Sequence, residues 1–199
     1  MTIAIIAGII LIYGIFLYNN LVRHKNKVNS SFADIDVQLK NRADLVENLV
    51  NTVKWYTTHE KWVLEWVTKA RTAYLNADNN QKKMESDNML TWALKSLFAV
   101  SENYPDLKAN TNFIQLQAEL SDLENKIAAT RRFYNSTVRE YDTSIEMFPS
   151  NLIASQFNFT AKKYYELEDQ KEKSVPKVNF NTAENKTTKI PAKKIKKTK

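Results

Sequence analysis

The chain has 199 residues, 43% of them hydrophobic, with no cysteine, two glycines and four prolines. Without cysteine there is no disulfide framework, no thiol nucleophile and no lipoprotein-type lipid anchor. With only Gly8 and Gly14, the glycine-rich loops that let a backbone approach a nucleotide are excluded as well. The net charge of +7 is local: residues 1–161 carry 17 basic and 17 acidic side chains, and residues 162–199 carry 12 lysines against 5 acids. The body is therefore neutral and implies no specific nucleic-acid binding; a polyanion would meet the C-terminal arm.

The chain opens "MTIAIIAGIILIYGIFLYNNLVRHKNKV", with residues 3–18 uncharged and almost wholly apolar. About 20 helical residues at about 1.5 Å each cross a bilayer core, so residues 1–22 are predicted to be a transmembrane helix. A cleaved signal expects basic residues before the apolar run and a small-residue cleavage site after it. Here Arg23, His24, Lys25 and Lys27 follow the run instead. By the positive-inside tendency the N-terminus lies outside and the rest is cytoplasmic, as a single-pass protein of the cell membrane. Tyr13 and Tyr18 are candidate interfacial aromatics.

Few prolines and glycines favour long helices over a many-turned β-fold. Residues 21–77 carry an apolar stripe at Val28, Phe32, Ile35, Leu39, Val46, Leu49, Val53, Tyr56, Val63, Val67 and Ala70. It reads as one very long helix or as two helices meeting near residues 41–44. The polar stretch "DNNQKKMESDN", residues 78–88, is predicted to be a connection. A helix with Leu90, Leu94, Leu97, Ser101 and Tyr104 then halts at Pro105. The clearest stripe is Phe113, Leu116, Leu120, Leu123, Ile127, Thr130, Tyr134, Val138, Tyr141, Ile145 and Phe148, interrupted only by Thr130. Asn112 with Gln115 resembles a capping box, and Pro149 ends the helix. Ser150 is a candidate cap for a short helix after it. Facing stripes of this length predict an all-α fold, an antiparallel four-helix-type bundle over residues 23–160. Residues 161–199 read as a basic, disordered tail.

"DIDVQLKNRADLVENLVNTVKWYTTHE", "ENYPDLKANTNFIQLQAELSDLENKIAATRRFYNSTVREYDTSI" and "FPSNLIA" resemble the LemA family, in the family's order, over about residues 18–159. The resemblance implies a membrane anchor and a helical bundle of the bromodomain-like four-helix type. It implies no defined biochemical activity; one branch of the family is associated with shaping intracellular membranes.

The residues themselves offer little chemistry. His59-Glu60 begins like H-E-x-x-H, but Val63 stands where the second histidine belongs, and the only other histidine is His24. A catalytic zinc needs three protein ligands, and the Glu-x-x-His pairs of di-iron bundles are missing too, with Leu21 and Tyr56 three before the histidines. No metal, no cofactor and no catalytic residue is assigned. His59 reads as a hydrogen-bonded imidazole at the bundle; the rival is an enzyme or small-molecule binder using it in an inter-helix pocket. Arg131-Arg132 and the remaining charges read as helix surface. The reading preferred is a non-enzymatic membrane-tethered scaffold with an unidentified protein partner.

Two surfaces are singled out. Six lysines, Lys189, Lys193, Lys194, Lys196, Lys197 and Lys199, close the chain; near a cytoplasmic leaflet each contributes about 1 kcal/mol of attraction to anionic lipid. The competing reading is a solvated tail. Trp55, Trp62 and Trp66 are spaced seven and four apart and on one helix line one face, with His59 between them. Each buries roughly 200 Å² when covered. The resemblance puts Tyr56, Val63, Val67 and Ala70 in the core and the tryptophans at the bundle's margin. They are expected to dock a partner helix or meet lipid headgroups, or else to fold over the core's edge or lie under residues 157–165.

Overall fold

The apolar N-terminal run and the first bundle stripe form one uninterrupted helix, α1 (Thr2–Lys54), in a computed structural model that describes residues 1–57 and 60–166. Nothing in the sequence stops it: no glycine follows Gly14 and no proline precedes Pro105. Neither alternative for residues 21–77 holds as stated: the stripe is divided between α1, which ends at Lys54, and a second helix that starts at Lys61, and no joint forms near residues 41–44. There the stripe steps from Leu39 to Val46 through Arg42 and Ala43, both buried, so the periodicity continues through a residue that apolarity does not reveal. The break comes at residues 55–60, where "WYTT" offers aromatic and β-branched residues of low helix propensity. Thr57 turns its hydroxyl onto the Val53 carbonyl at 3.1 Å, a local bond that competes with the helical ladder.

Among the described residues there are five further helices: α2 (Lys61–Leu75), α3 (Asn80–Ser101), α4 (Pro105–Lys108), α5 (Thr111–Glu146) and α6 (Ser150–Gln156). α1 rises from the apolar span, α2 returns, α3 rises again and α5 descends alongside α1 to the end of the apolar run. The all-α, antiparallel four-helix arrangement is as the sequence predicts. The polar stretch 78–88 is not a connection. Asn79 accepts the Lys82 amide at 2.9 Å as an N-cap, and α3 runs from Asn80. α5 starts two residues before its expected cap, because Asn110 accepts the Phe113 amide at 3.0 Å. Tyr104 precedes Pro105, the first residue of α4, rather than extending α3. Ser150 lies inside α6 rather than capping it, and its hydroxyl donates back to the Ser144 carbonyl at 2.6 Å.

The interior is two apolar clusters stacked along the bundle. The one nearer the span joins Val28, Phe32, Ile35 and Leu39 of α1 to Ile127, Tyr134, Val138 and Tyr141 of α5. The distal one joins Leu49 and Val53 to Val63 and Val67 of α2, Leu94 and Leu97 of α3 and Phe113 of α5. Full burial of one such Val, Leu, Ile or Phe side chain stabilises by about 1.5–3 kcal/mol. At the foot of the α2–α3 hairpin, Tyr74 donates to the Asp36 carboxylate at 2.9 Å and Lys83 pairs with the same group at 2.6 Å. Burial, then that carboxylate, holds the Tyr74 phenol above its usual range.

The ends of the bundle lie elsewhere than expected. Leu21 is already buried and Tyr18 packs against Phe157 at 4.8 Å, so the bundle's contacts begin inside the segment assigned to the anchor. At the other boundary, chain assigned to a disordered tail packs onto α5 as far as Tyr165, itself buried. Phe148 leaves the α5 stripe and is 78% exposed. The first 18-residue apolar window of α1 has mean hydropathy 2.1 and no part of it is buried, so this helix is long and apolar enough to cross a membrane.

Candidate functional site

Three places in the fold concentrate polar chemistry or exposed apolar surface: a buried charge layer, the distal tip, and a groove along α2. The layer lies between the two apolar clusters. Asp87 of α3, with 1% of its side chain exposed, receives Arg42 Nη1 of α1 at 3.0 Å, together with Arg131 Nη2 of α5 and the Tyr165 hydroxyl. Arg42 also donates to Thr91 at 3.1 Å and lies 3.1 Å from Glu124, whose side chain reaches the surface. The Arg131 guanidinium lies 4.8 Å from the centre of the Tyr165 ring. Burial, the largest single influence, lowers the Arg131 pKa, but Asp87, Tyr165 and Glu124 together outweigh it and the net shift is upward. Tyr165 is pushed well above its ordinary range, first by burial and then by Asp87. Two arginines and two carboxylates balance, so the layer is a neutral partition in which Asp87 is fully hydrogen-bonded while Arg131 Nε and Nη1 and Glu124 Oε2 are buried without a hydrogen bond. The reading of these charges as helix surface is corrected: Arg42, Asp87 and Arg131 are interior.

Tyr165 arrives there on an extended strap. After α6 the chain runs back along α5, held by the backbone. Tyr141 donates to the Thr160 carbonyl at 3.1 Å and Tyr134 to the Lys163 carbonyl at 2.9 Å. Asn135 both accepts the Tyr165 amide at 2.8 Å and donates to its carbonyl at 3.0 Å. The side-chain amide thus supplies the hydrogen bonds a neighbouring strand would give.

The tryptophans do not share one helical face, because the turn after Lys54 separates Trp55 from the other two. Trp55 is 88% exposed at the end of α1, and Trp62 is 57% exposed in the first turn of α2. The Trp62 indole N–H donates to the Glu60 carboxylate at 3.1 Å. Trp66 is half-buried against the distal apolar cluster. Residues 157–165 do not cover any of them; they lie along α5 in the other half of the bundle. Asn110 donates to the Tyr56 hydroxyl at 2.8 Å, tying the start of α5 to the turn after α1. From Leu21 to Lys54 α1 extends about 50 Å, so Trp55 sits far from the span that a bilayer would enclose. Headgroup contact in that same membrane is out of its reach unless α1 lies flat.

The groove, of about 940 Å³, runs between the end of α1 and the outer face of α2, past Val50, Lys54, Lys61, Leu64, Glu65 and Lys69. It is open along its length. Thr57 lines it too, while His59 lies outside the described residues, as do the six tail lysines from Lys189 to Lys199. Among the described residues no three His, Cys, Asp or Glu side chains gather as a metal would need. Arg42 was legible after the fact, as the one charged residue on an otherwise apolar seven-residue repeat; Asp87 carried no such signal.

Known proteins resemble parts of this chain. It is 27% identical to Protein LemA of Metamycoplasma hominis over 156 residues, 75% of this chain and 71% of that protein. It is 30% identical to Magnetosome protein MamQ 2 of Paramagnetospirillum magneticum over 74 residues, covering 37% of this chain but only 27% of that protein. A similar partial match, 27% identical over 73 residues, is to Magnetosome protein MamQ of Magnetospirillum gryphiswaldense, again 27% of the relative's length. A sequence model of the LemA family matches residues 31–180. That stretch takes in both apolar clusters except Val28, the charge layer and the strap, so the chain belongs to the LemA family.

Proposed function

We propose that this protein is a non-enzymatic, single-pass membrane protein whose bundle stands in the cytoplasm as an interaction scaffold. The apolar run crosses the cell membrane with its N-terminus outside, and Arg23, Lys25 and Lys27 hold the following turn on the cytoplasmic side. The distal tip then carries the contact with a protein partner. The observation that supports this is the exposure of Trp55 at 88% and Trp62 at 57% at the distal end of the bundle. Two indoles that wet are costly surface, and tryptophan is enriched where partners dock.

The test separates folding from function. A full-length Trp55→Glu/Trp62→Glu variant is expected to fractionate with membranes and melt like the wild type while losing the phenotype of the intact protein. Retained phenotype removes the tip from the proposal. Topology is tested with a membrane-impermeant thiol reagent on intact cells, which the cysteine-free background makes clean. Thr2→Cys should label at once and Asp122→Cys only after permeabilisation. The rival, a small-molecule site in the α1–α2 groove, draws on Lys54, Lys61 and Lys69 lining a groove that Thr57, two residues before His59 in sequence, also lines. Loss of phenotype in a well-folded His59→Ala variant, with the tip variant silent, favours that rival.

A further inference from the structure

The pairing of α1 with α5 has a readable register. Lys27 meets Glu140 at 2.7 Å and Ser31 meets Thr137 at 2.9 Å, so each step down α1 toward the apolar run is a step forward along α5. Continued to the end of α5 at Glu146, this register brings the α5–α6 corner level with residues 17–20 of α1. Two contacts agree. Leu17 and Asn20 share the lining of one groove of about 560 Å³ with Met147 and Phe148. On the other side, the Tyr18 ring packs tilted against Phe157 at 4.8 Å and edge-to-face against Phe159 at 5.9 Å. The corner therefore sits beside the last turn of the apolar run, not above it.

At this level the large side chains turn outward. Phe148 is 78% exposed, Met147 and Leu152 each 59%, and Phe157 56%. One to two turns farther from the apolar run the surface changes character. Arg23, Lys25 and Arg139 are exposed there, and Lys25 reaches back over the Phe159 ring at 5.6 Å. The acids at that height are Glu140, paired with Lys27, and Asp142, which accepts the Lys162 amide at 3.1 Å; Glu146 is exposed at the end of α5. An apolar end continuous with an apolar span, below a basic collar, has the layered polarity of a bilayer surface.

We infer that the α5–α6 corner is a second membrane contact, with Met147, Phe148, Leu152 and Phe157 set into the boundary between acyl chains and headgroups on the bundle's side. This deepens the proposed function and rests on its membrane-spanning reading of residues 1–22. A lone helical span leaves a bundle free to swivel about its axis. A second contact beside the span fixes the rotation, so the distal tip faces one direction relative to the membrane plane. A patch of this size left in water is uncommon on a lone domain, and continuity with the span supplies its cover.

The experiment uses the full-length chain in liposomes of phosphatidylcholine and phosphatidylglycerol. Single cysteines at Phe148, Leu152, Ile9 and Asp122 carry a nitroxide, whose collisions with oxygen report lipid and with a water-soluble nickel chelate report solvent. Ile9, in the span and exposed, is the lipid reference, and Asp122, exposed on α5, is the water reference. The expected result is an oxygen-to-nickel ratio at Phe148→Cys and Leu152→Cys several-fold above that at Asp122→Cys. A ratio at either position equal to Asp122, with Ile9 in lipid, overturns the corner contact and leaves the span intact. An Ile9 label open to nickel defeats the spanning reading first. Labels at Phe148 or Leu152 shielded from both reagents and broadened by one another mark a second copy of the chain as the cover, and overturn the inference too.

Discussion

Removing the Asp87 carboxylate should be the most damaging single change in the bundle. Arg42 and Arg131 have only 6% and 5% of their side chains exposed, and Asp87 lies between them with 1%. Asp87→Ala leaves two buried guanidiniums facing Glu124, whose side chain is 40% exposed and which lies 3.7 Å from Arg131 Nη1. Taking away one partner of a buried ion pair costs about 3–5 kcal/mol. For a domain of this size each kcal/mol moves the melting midpoint by about 2–4 °C, so a fall of roughly 6–20 °C is expected. The assay is a thermal melt of the full-length protein in detergent at one fixed scan rate, followed by helical circular dichroism. A second variant, Arg42→Met/Asp87→Leu/Glu124→Gln/Arg131→Leu, removes all four charges of the layer and should recover most of the loss, since apolar replacements of buried ion groups are often neutral or stabilising. If Asp87→Ala melts within about 1 kcal/mol of wild type, the layer is wet and the burial argument is wrong.

Tyr165 and Tyr74 both keep their protons in the folded state at pH values where an unfolded chain releases them, their pKa values being raised by burial and then by Asp87 and Asp36 respectively. The folded state then binds more protons, so their contribution is complete below about pH 10 and is lost as pH rises above it; a Tyr165→Phe/Tyr74→Phe variant should show a shallower alkaline decline in denaturant titrations. Asn110→Ala removes both the cap of α5 and the partner of the Tyr56 hydroxyl at 2.8 Å, and should cost about 1–2 kcal/mol in urea unfolding; no measurable loss argues that Tyr56 and the cap are dispensable. Trp66→Glu should destabilise by several kcal/mol through the distal cluster it packs on, about the cost of an unpaired buried charge, whereas Trp55→Glu, 88% exposed, should stay within about 0.5 kcal/mol. Equal losses for the two would place Trp55 in the core.

What the sequence determined alone follows from apolar spacing, which is local. An unbroken uncharged run specified the helix long enough to span a bilayer. Val28, Phe32, Ile35 and Leu39, and Ile127, Tyr134, Val138 and Tyr141, fell on repeats of three and four that only a helix turns to one side, and these residues form the core. Tertiary structure decided whatever depends on partners remote in sequence. Asp87 is neutralised by side chains 44 to 78 positions away, so "MESDN" looked like a polar connection and is a buried turn of α3. Arg131 was taken for surface because a charge carries no local mark of the carboxylate that will pair with it. The turn after Lys54 split the tryptophans, since the low helix propensity of "WYTT" permits a break without compelling one and the packing of α2 on α3 resolves it. The strap to Tyr165 had no periodicity to read. Its hydrogen bonds come from Tyr134, Asn135 and Tyr141 on the finished face of α5, a surface that exists only once the helix is formed and placed.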